Sequence, residues 1–475
     1  MPAHIESLSH LSVNSSQKGV YMSKPKTIGI FHYQAGRTDG VSLELEKWQR
    51  IFEELGHTVH LCAGDLGSAE GTLVKEMYHH LPEIERLNYN TFTELRDFDA
   101  VGYKEELFHW VDILEEHFRN FIREKNIDFI VPQNVWCVAA NPAVAIALER
   151  IRREFDLPAL AHNHDFYWER SEVALTCSTA IELADKYLPP RSQKIKHVVI
   201  NSLGQKELAE RKSITSRVVP NIFDFEAPPW QVDDYNIDLR ERIGLKENDI
   251  MLLQATRVVA RKGIEMAIDF AKAIDSPNRR SKLKLKGLYN GRPFTDDSRV
   301  VLALAGYVRD DIGGGYIQKL LDKAEEENVD MIYIGDLIGH GRQTRAGEKI
   351  YSLWDSYVFA DFVTYPSLWE GWGNQFLEAL RACLPIMLYE YPVYKVDIKD
   401  KGFKVVSLGD SVSEYDTRGL ARVSPQAIEA AADQAVELLT NAKIRQETIE
   451  HNFQLGRQYY SMDALRRYLI PLIEE

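Results

Sequence analysis

Short apolar runs, each ending in a polar or glycine-containing loop and followed by helical periodicity, recur on both sides of a proline-bearing stretch at 221–236. That alternation restricts the chain to parallel α/β sheets, because strands joined through crossover helices pack those helices on the sheet faces. In the first half, Thr27-Ile28-Gly29-Ile30-Phe31-His32 predicts a strand. A helix at 41–55 follows, with Leu45, Trp48, Phe52 and Leu55 on one side, and Gly56 stops it before a second strand at 56–61. Helical patterns near 105–125 and after Pro142 alternate with apolar runs at 129–132, 159–162, 198–200 and 217–220. The second half restarts with a strand at 250–255 and a helix at 263–273. Strands at 301–305, 330–334 and 362–365 then alternate with helices near 316–327 and 374–382. Pro228, Pro229 and the loss of periodicity mark 221–236 as a linker. The expectation is two Rossmann-like sheets facing across a cleft. The basic run at 279–286 places Lys282, Lys284 and Lys286 on alternate positions, the pattern of one solvated strand face.

Size and composition agree with that layout. A chain of 475 residues, 45% hydrophobic and 27% charged, is too long for one core and ordinary for a globular protein. A formal charge of −14 argues against nucleic acid and against an anionic membrane as the main partner. No run of 18 apolar residues occurs, so no transmembrane segment is expected. Cys62, Cys137, Cys177 and Cys383 lack paired spacing and suit reduced core residues of a cytoplasmic protein. The polar opening, 1–26, reads as a disordered extension.

The chemistry concentrates at 361–382. Asp361-Phe362-Val363-Thr364-Tyr365-Pro366-Ser367 is a short apolar run stopped by Pro and Ser, the pattern of a buried parallel strand ending in a loop. That loop carries Glu370, Gly371, Trp372, Gly373 and Asn374, and the helix it opens carries Glu378, with seven residues between the two glutamates. A glycine turn opening a helix leaves backbone N–H groups free for an anionic or hydroxyl-rich ligand, and open α/β sheets bind ligands at such strand ends. Glutamate early in a helix also suits the helix dipole on its own account. The strand-end context favours the ligand.

Pro366 to Glu378 resembles the E-x7-E signature of the retaining GT-B glycosyltransferases, specifically glycosyltransferase family four, and the resemblance extends over nearly the whole chain beyond residue 26. It implies the GT-B fold: an N-terminal acceptor domain at 27–220, the 221–236 linker, a nucleotide-sugar donor domain at 237–455, and a C-terminal helix at 456–475 crossing back to the first domain. It implies Arg257 and Lys262 on the donor diphosphate, Glu370 on the sugar hydroxyls and Glu378 on the ribose. Leu337 and Ile338, in Gly335-Asp336-Leu337-Ile338, would contact the nucleobase. In the first domain it implies Gly40 at a glycine loop near the diphosphate and a strand-end His164 near the reacting carbon. Arg37, Asp39, Tyr167 and Arg170 are acceptor candidates beside those positions, with Arg170 suited to a carboxylate or phosphate.

The implied reaction moves a hexose from a nucleoside diphosphate sugar to a hydroxyl of a small soluble acceptor, such as a sugar phosphate or glycerate-type compound. No cofactor or metal is required in that reading. A nucleotide-sugar epimerase and a non-catalytic sugar-nucleotide binder are the alternatives. A metal site on His162 and His164 lacks suitably spaced further ligands. Asp97-Phe98-Asp99, a D-x-D without a preceding apolar strand, reads as surface charge, and the lone Arg261 as a solvated loop residue.

Overall fold

The computed structural model describes residues 24–37, 39–170, 173–308, 315–339, 341–345 and 347–474. Most of the N-terminal extension therefore lies outside the described residues.

The first half contains β1 (Thr27–His32), α1 (Gly40–Glu54), β2 (Thr58–Ala63), β3 (Thr72–Leu73), α2 (Pro82–Phe92), α3 (Ala100–Lys125), β4 (Phe129–Pro132), α4 (Val135–Val138), α5 (Pro142–Glu154), β5 (Ala159–Asn163), α6 (Ser178–Tyr187), β6 (Ile195–Val199), α7 (Ser202–Lys212) and β7 (Ser216–Val218). The second half starts with α8 (Leu239–Arg242), β8 (Ile250–Gln254), α9 (Ile264–Ile274), α10 (Pro277–Lys286), β9 (Val300–Leu304), α11 (Gly315–Glu326) and β10 (Asp330–Tyr333). It continues with β11 (Ile338–Gly339), β12 (Gln343–Arg345), β13 (Glu348–Ser352), α12 (Leu353–Phe359), β14 (Phe362–Tyr365), α13 (Asn374–Arg381), β15 (Ile386–Leu388) and β16 (Val406–Ser407). A β17–β18 hairpin (Glu414–Tyr415, Ala421–Arg422) and the helices α14 (Pro425–Thr440), α15 (Ala442–Tyr460) and α16 (Met462–Glu474) complete the chain.

Two parallel sheets result, in the orders β3-β2-β1-β4-β5-β6-β7 and β10-β9-β8-β14-β15-β16. Every residue of β8 and β9 is buried, as expected of parallel strands covered by helices on both faces. Strand order reverses between β1 and β4 in the first sheet and between β8 and β14 in the second. Loops leaving neighbouring strands at such a reversal diverge and open a crevice at the carboxyl ends. The second crevice lies between the Arg257–Lys262 loop and the Glu370 loop.

The linker at 221–236 carries no helix or strand, and its Trp230 stacks on Trp354 at 4.5 Å between ring centroids. The return crossing is made by α16. Its Met462, Leu465, Leu469 and Leu472 share a core with Ile28, Trp48 and Phe52 of the first half. α15 ends at Tyr460, so the crossing begins a few residues later than the sequence boundary at 456.

The basic run at 279–286 is a correction: it is the helix α10, not a strand. Ser276 precedes Pro277 at the first helical position, where the ring presets φ and its missing N–H costs nothing. No β-branched residue occurs in the segment to favour a strand. Its charges are answered locally: Arg279 by Asp433 at 3.0 Å, Lys284 by Asp296 at 2.6 Å and Lys286 by Glu437 at 3.2 Å. Asp97 accepts from Asn90 at 2.6 Å and Asp99 caps α3 by accepting from Gly102 N at 2.7 Å, so both acids serve local structure. Among the described residues, no helix is long and apolar enough to cross a membrane.

His197 is one of several buried histidines whose lowered imidazole is expected to make folding pH-dependent. His197, 5% exposed, bonds through Nε2 to the Pro190 carbonyl at 3.1 Å, and burial pushes its imidazole down to about 4. Between that value and the ordinary 6.5 the unfolded chain binds the extra proton. Its contribution is therefore full above 6.5 and is lost as pH falls toward 4, by roughly 3 kcal/mol in all. His197→Gln is expected to flatten the fall of the thermal midpoint between pH 6.5 and pH 4; an unchanged slope would show that His197 does not titrate on unfolding.

Candidate active site

The loop after β8 bends through a short turn at Ala260–Lys262 into Gly263, whose φ of +58° is left-handed. A Cβ on Gly263 would lie 2.5 Å from the Pro366 carbonyl oxygen, so glycine lets the two crevice loops touch. Leu368 N donates to the Arg261 carbonyl at 2.9 Å and fastens them.

At that junction Lys262 and Glu370, both under 10% exposed, form an ion pair. Arg261 adds a second cation: its Nη1 lies 3.2 Å from Glu370 Oε2 and 3.1 Å from the Trp369 carbonyl oxygen, and its guanidinium sits over the Trp369 ring. Burial alone would raise the Glu370 carboxyl, but the Lys262 and Arg261 charges outweigh it and hold the group below its ordinary value. Arg257 is half-buried nearby, close enough for its charge to act on Lys262. Lys262 and Arg261 thus share one carboxylate, with the Arg257 charge beside Lys262.

Glu370 leads into the turn Gly371, Trp372, Gly373. The Gly373 φ of +121° is one that side-chain-bearing residues avoid, and a Cβ there would lie 2.2 Å from Tyr391 Oη. α13 begins at Asn374 with no side chain capping it; Phe376 N donates to the Gly373 carbonyl at 3.0 Å, which leaves the Asn374 and Gln375 amides as the uncapped pair at the crevice. The Trp372 side chain is buried and packs edge-on to Tyr460 at 5.3 Å, so only its main chain is presented to a ligand. One turn into α13, Glu378 Oε2 accepts from Tyr357 Oη at 2.7 Å. Burial raises this carboxyl, and the tyrosine bond opposes the rise.

The first half closes over this arrangement. Gly40, first residue of α1, faces Asn374, first residue of α13: a Cβ on Gly40 would lie 3.4 Å from Asn374 Nδ2. Two helix N-termini, each with a positive dipole end, therefore meet across the cleft. His164 follows β5, is 6% exposed, and anchors its backbone N–H on Asn134 Oδ1 at 3.0 Å. Burial pushes its imidazole down to about 3, so it is neutral near pH 7, and its Nε2 is a buried nitrogen with no partner among the described residues. His162 is built into the fold, stacked on Trp48 at 4.0 Å and bonded to Gln133 at 2.7 Å.

No protein-family model matches the chain. Over 444 residues it is 36% identical to the mannosylglucosylglycerate synthase of Petrotoga mobilis, covering 93% of this chain and 99% of that protein. Over 450 residues it is 35% identical to the mannosylglucosylglycerate synthase of Thermotoga maritima, covering 94% and 100%. The chain belongs to the mannosylglucosylglycerate synthase family. Its fold is GT-B: a sucrose-phosphate synthase structure from Thermosynechococcus elongatus matches with a TM-score of 0.58 over 94% of this chain and 98% of that one, at 14% identity. As a member of the mannosylglucosylglycerate synthase family the chain is a glycosyltransferase.

Within this family member the structure gathers Gly40, Arg257, Lys262, Glu370, Gly371, Gly373 and Asn374 around one crevice, with Glu378 a helical turn deeper. Leu337 and Ile338 follow β10 at the carboxyl edge of the same sheet, half-buried and tied to β13 through the Ile338–Tyr351 pairing. The acceptor candidates divide. Arg37 pairs with Asp65 at the surface, and Asp39 caps α1, accepting from Val41 N at 3.2 Å and Ser42 N at 3.1 Å. Tyr167 leans on Phe92 and Trp168. Arg170 is exposed, with its charge acting on Tyr33 and Asp165 beside the cleft. Arg261, expected to be a solvated loop residue, instead pairs with Glu370 at 3.2 Å, and Tyr357 escaped the sequence reading. No spacing rule ties either to the glutamate it contacts.

Proposed function

We propose that the protein transfers a hexose from a nucleoside diphosphate sugar to a hydroxyl of a small soluble acceptor, with retention of configuration and without a required metal. The observation that carries this reading is the concentration of Arg257, Arg261, Lys262 and the uncapped α13 N-terminus at the strand-order reversal of the second sheet. Cations and amide dipoles there would stabilise the charge that a departing diphosphate develops. Arg257 and Lys262 take the phosphates, Glu370 accepts from donor sugar hydroxyls, Glu378 accepts from the ribose, and Leu337 with Ile338 lies against the base. Neutral His164 offers an uncharged ring nitrogen to the donor sugar, with Gly40 admitting the diphosphate between the two helix ends.

As the bond from the anomeric carbon to the diphosphate oxygen breaks, the acceptor oxygen forms its bond on the same face. The acceptor's proton passes to a donor phosphate oxygen, so no protein base is needed. Closure of the cleft excludes water that would otherwise take the acceptor's place. The relatives are named for a product containing mannosyl, glucosyl and glycerate units. A mannose donor and a glucosylglycerate acceptor would supply that product here, with Arg170 suited to the glycerate carboxylate.

Mass spectrometry of reactions with GDP- and UDP-hexoses and glucosylglycerate, with and without chelator, tests this. The expected result is a hexose-extended glycerate glycoside, its anomeric configuration that of the donor, unaffected by chelator. A changed monosaccharide formed without acceptor would favour an epimerase, and donor binding without turnover a non-catalytic binder.

A further inference from the structure

The two halves interlock at the N-terminus of α7. Asn201 caps that helix, its Oδ1 accepting from Gly204 N at 2.7 Å. Its other side-chain atom, Nδ2, donates across the cleft to the Gly371 carbonyl at 2.7 Å. In the opposite direction Asp397, on the turn Tyr394–Ile398 of the second half, accepts from Ser202 N at 2.8 Å and from Ser202 Oγ. Gly371 itself is pressed against the first half: a Cβ there would lie 3.3 Å from Asp165 Oδ1 and 3.6 Å from Ile200 Cδ1.

A peptide group is planar and trans, so an anchored carbonyl dictates the direction of the N–H on the same plane. The Gly371 carbonyl is held by Asn201, which aims the Trp372 N–H; the next carbonyl, Trp372, is held by Tyr391 Oη at 2.8 Å, which aims the Gly373 N–H. One anchor comes from each half, and the Asn201 anchor exists only when the halves are together. We infer that Asn201 is a positioning residue for transfer: on closure it orients the Gly371–Trp372 peptide so that the donor turn directs its amide toward the leaving diphosphate, with Asp397 clamping the same helix end in place. This rests on the donor site proposed above.

Asn201→Asp isolates the role. Aspartate caps a helix as well as asparagine does, so α7 is kept, but a carboxylate oxygen replaces the donor facing the Gly371 carbonyl. Asn201→Ser keeps a capping oxygen and removes the donor without adding charge. Both variants keep the α7 cap, so the thermal midpoint is expected to fall only slightly while kcat falls by about 10–100-fold, more for Asp, as misplacement of one binding group allows. The leaving charge is complete in a free nucleoside diphosphate and only developing in the donor. Calorimetric affinity for GDP or UDP should therefore fall as well, while KM for the sugar nucleotide changes less.

Wild-type kcat and nucleoside diphosphate affinity in both variants would overturn the inference. So would losses matched by an equally large fall in midpoint, which would mark the Asn201 bond to Gly371 as a contact that only holds the halves together. If the wild type itself transfers no hexose, the proposed reaction fails. The positioning role is then judged on diphosphate affinity alone.

Discussion

Lys262→Met is expected to abolish most transfer, lowering kcat/KM by about 10²–10³-fold, the cost of removing one preorganised charge donor from a leaving group. It should also cost about 3 kcal/mol of stability, because Glu370 is buried and would keep only the Arg261 contact at 3.2 Å. The two effects separate in the double variant Lys262→Met with Glu370→Gln. A neutral amide needs no buried counter-charge, so the thermal midpoint should recover most of its loss. Activity should not recover, since neither the cation nor the carboxylate has returned. Steady-state kinetics with matched thermal melts decide this. Recovery of both together would mean that Lys262 serves the fold only.

Gly373→Ala should be nearly as severe by a different route. Alanine at φ +121° is strained, and its methyl would collide with Tyr391 Oη at 2.2 Å, the hydroxyl that holds the Trp372 carbonyl. Strain of this kind costs about 1–3 kcal/mol, and relief by moving Tyr391 would release the turn that leads from Glu370 into α13. The expected outcome is a lowered thermal midpoint together with at least a tenfold loss of kcat, about 1.4 kcal/mol in the barrier. Tyr391→Phe, which removes the hydroxyl without backbone strain, should lose activity with a smaller change in midpoint. Full activity in Gly373→Ala would show that the turn's conformation does not matter to the reaction.

The regions around the crevice were the most legible in the sequence because local rules and tertiary context agree there. The apolar run before Pro366 is a strand, the glycines make the turn, and the helix expected at 374–382 runs over Asn374–Arg381. The same rules misread α10, where alternating lysines imitate a strand face although Ser276-Pro277 announces a helix and acids from α14 answer the charges. Contacts between distant segments left no local trace. Arg261 reaches a residue 109 positions away, so it reads as a solvated loop residue, and Asn201 reaches one 170 positions away with nothing local to mark it. Tyr357 lies 21 positions before Glu378, on another helix, and only the packing of α12 brings them together. Asp39 shows the converse: a charge beside a cleft that its own helix has already enlisted as a cap.

The most direct measurement is a crystal structure of the protein with a bound nucleoside diphosphate. The diphosphate should lie within hydrogen-bond distance of Lys262 Nζ and the Arg257 guanidinium, against the amides that open α13, with the ribose at Glu378. A nucleotide seated elsewhere, with the Glu370 turn empty, would contradict the account.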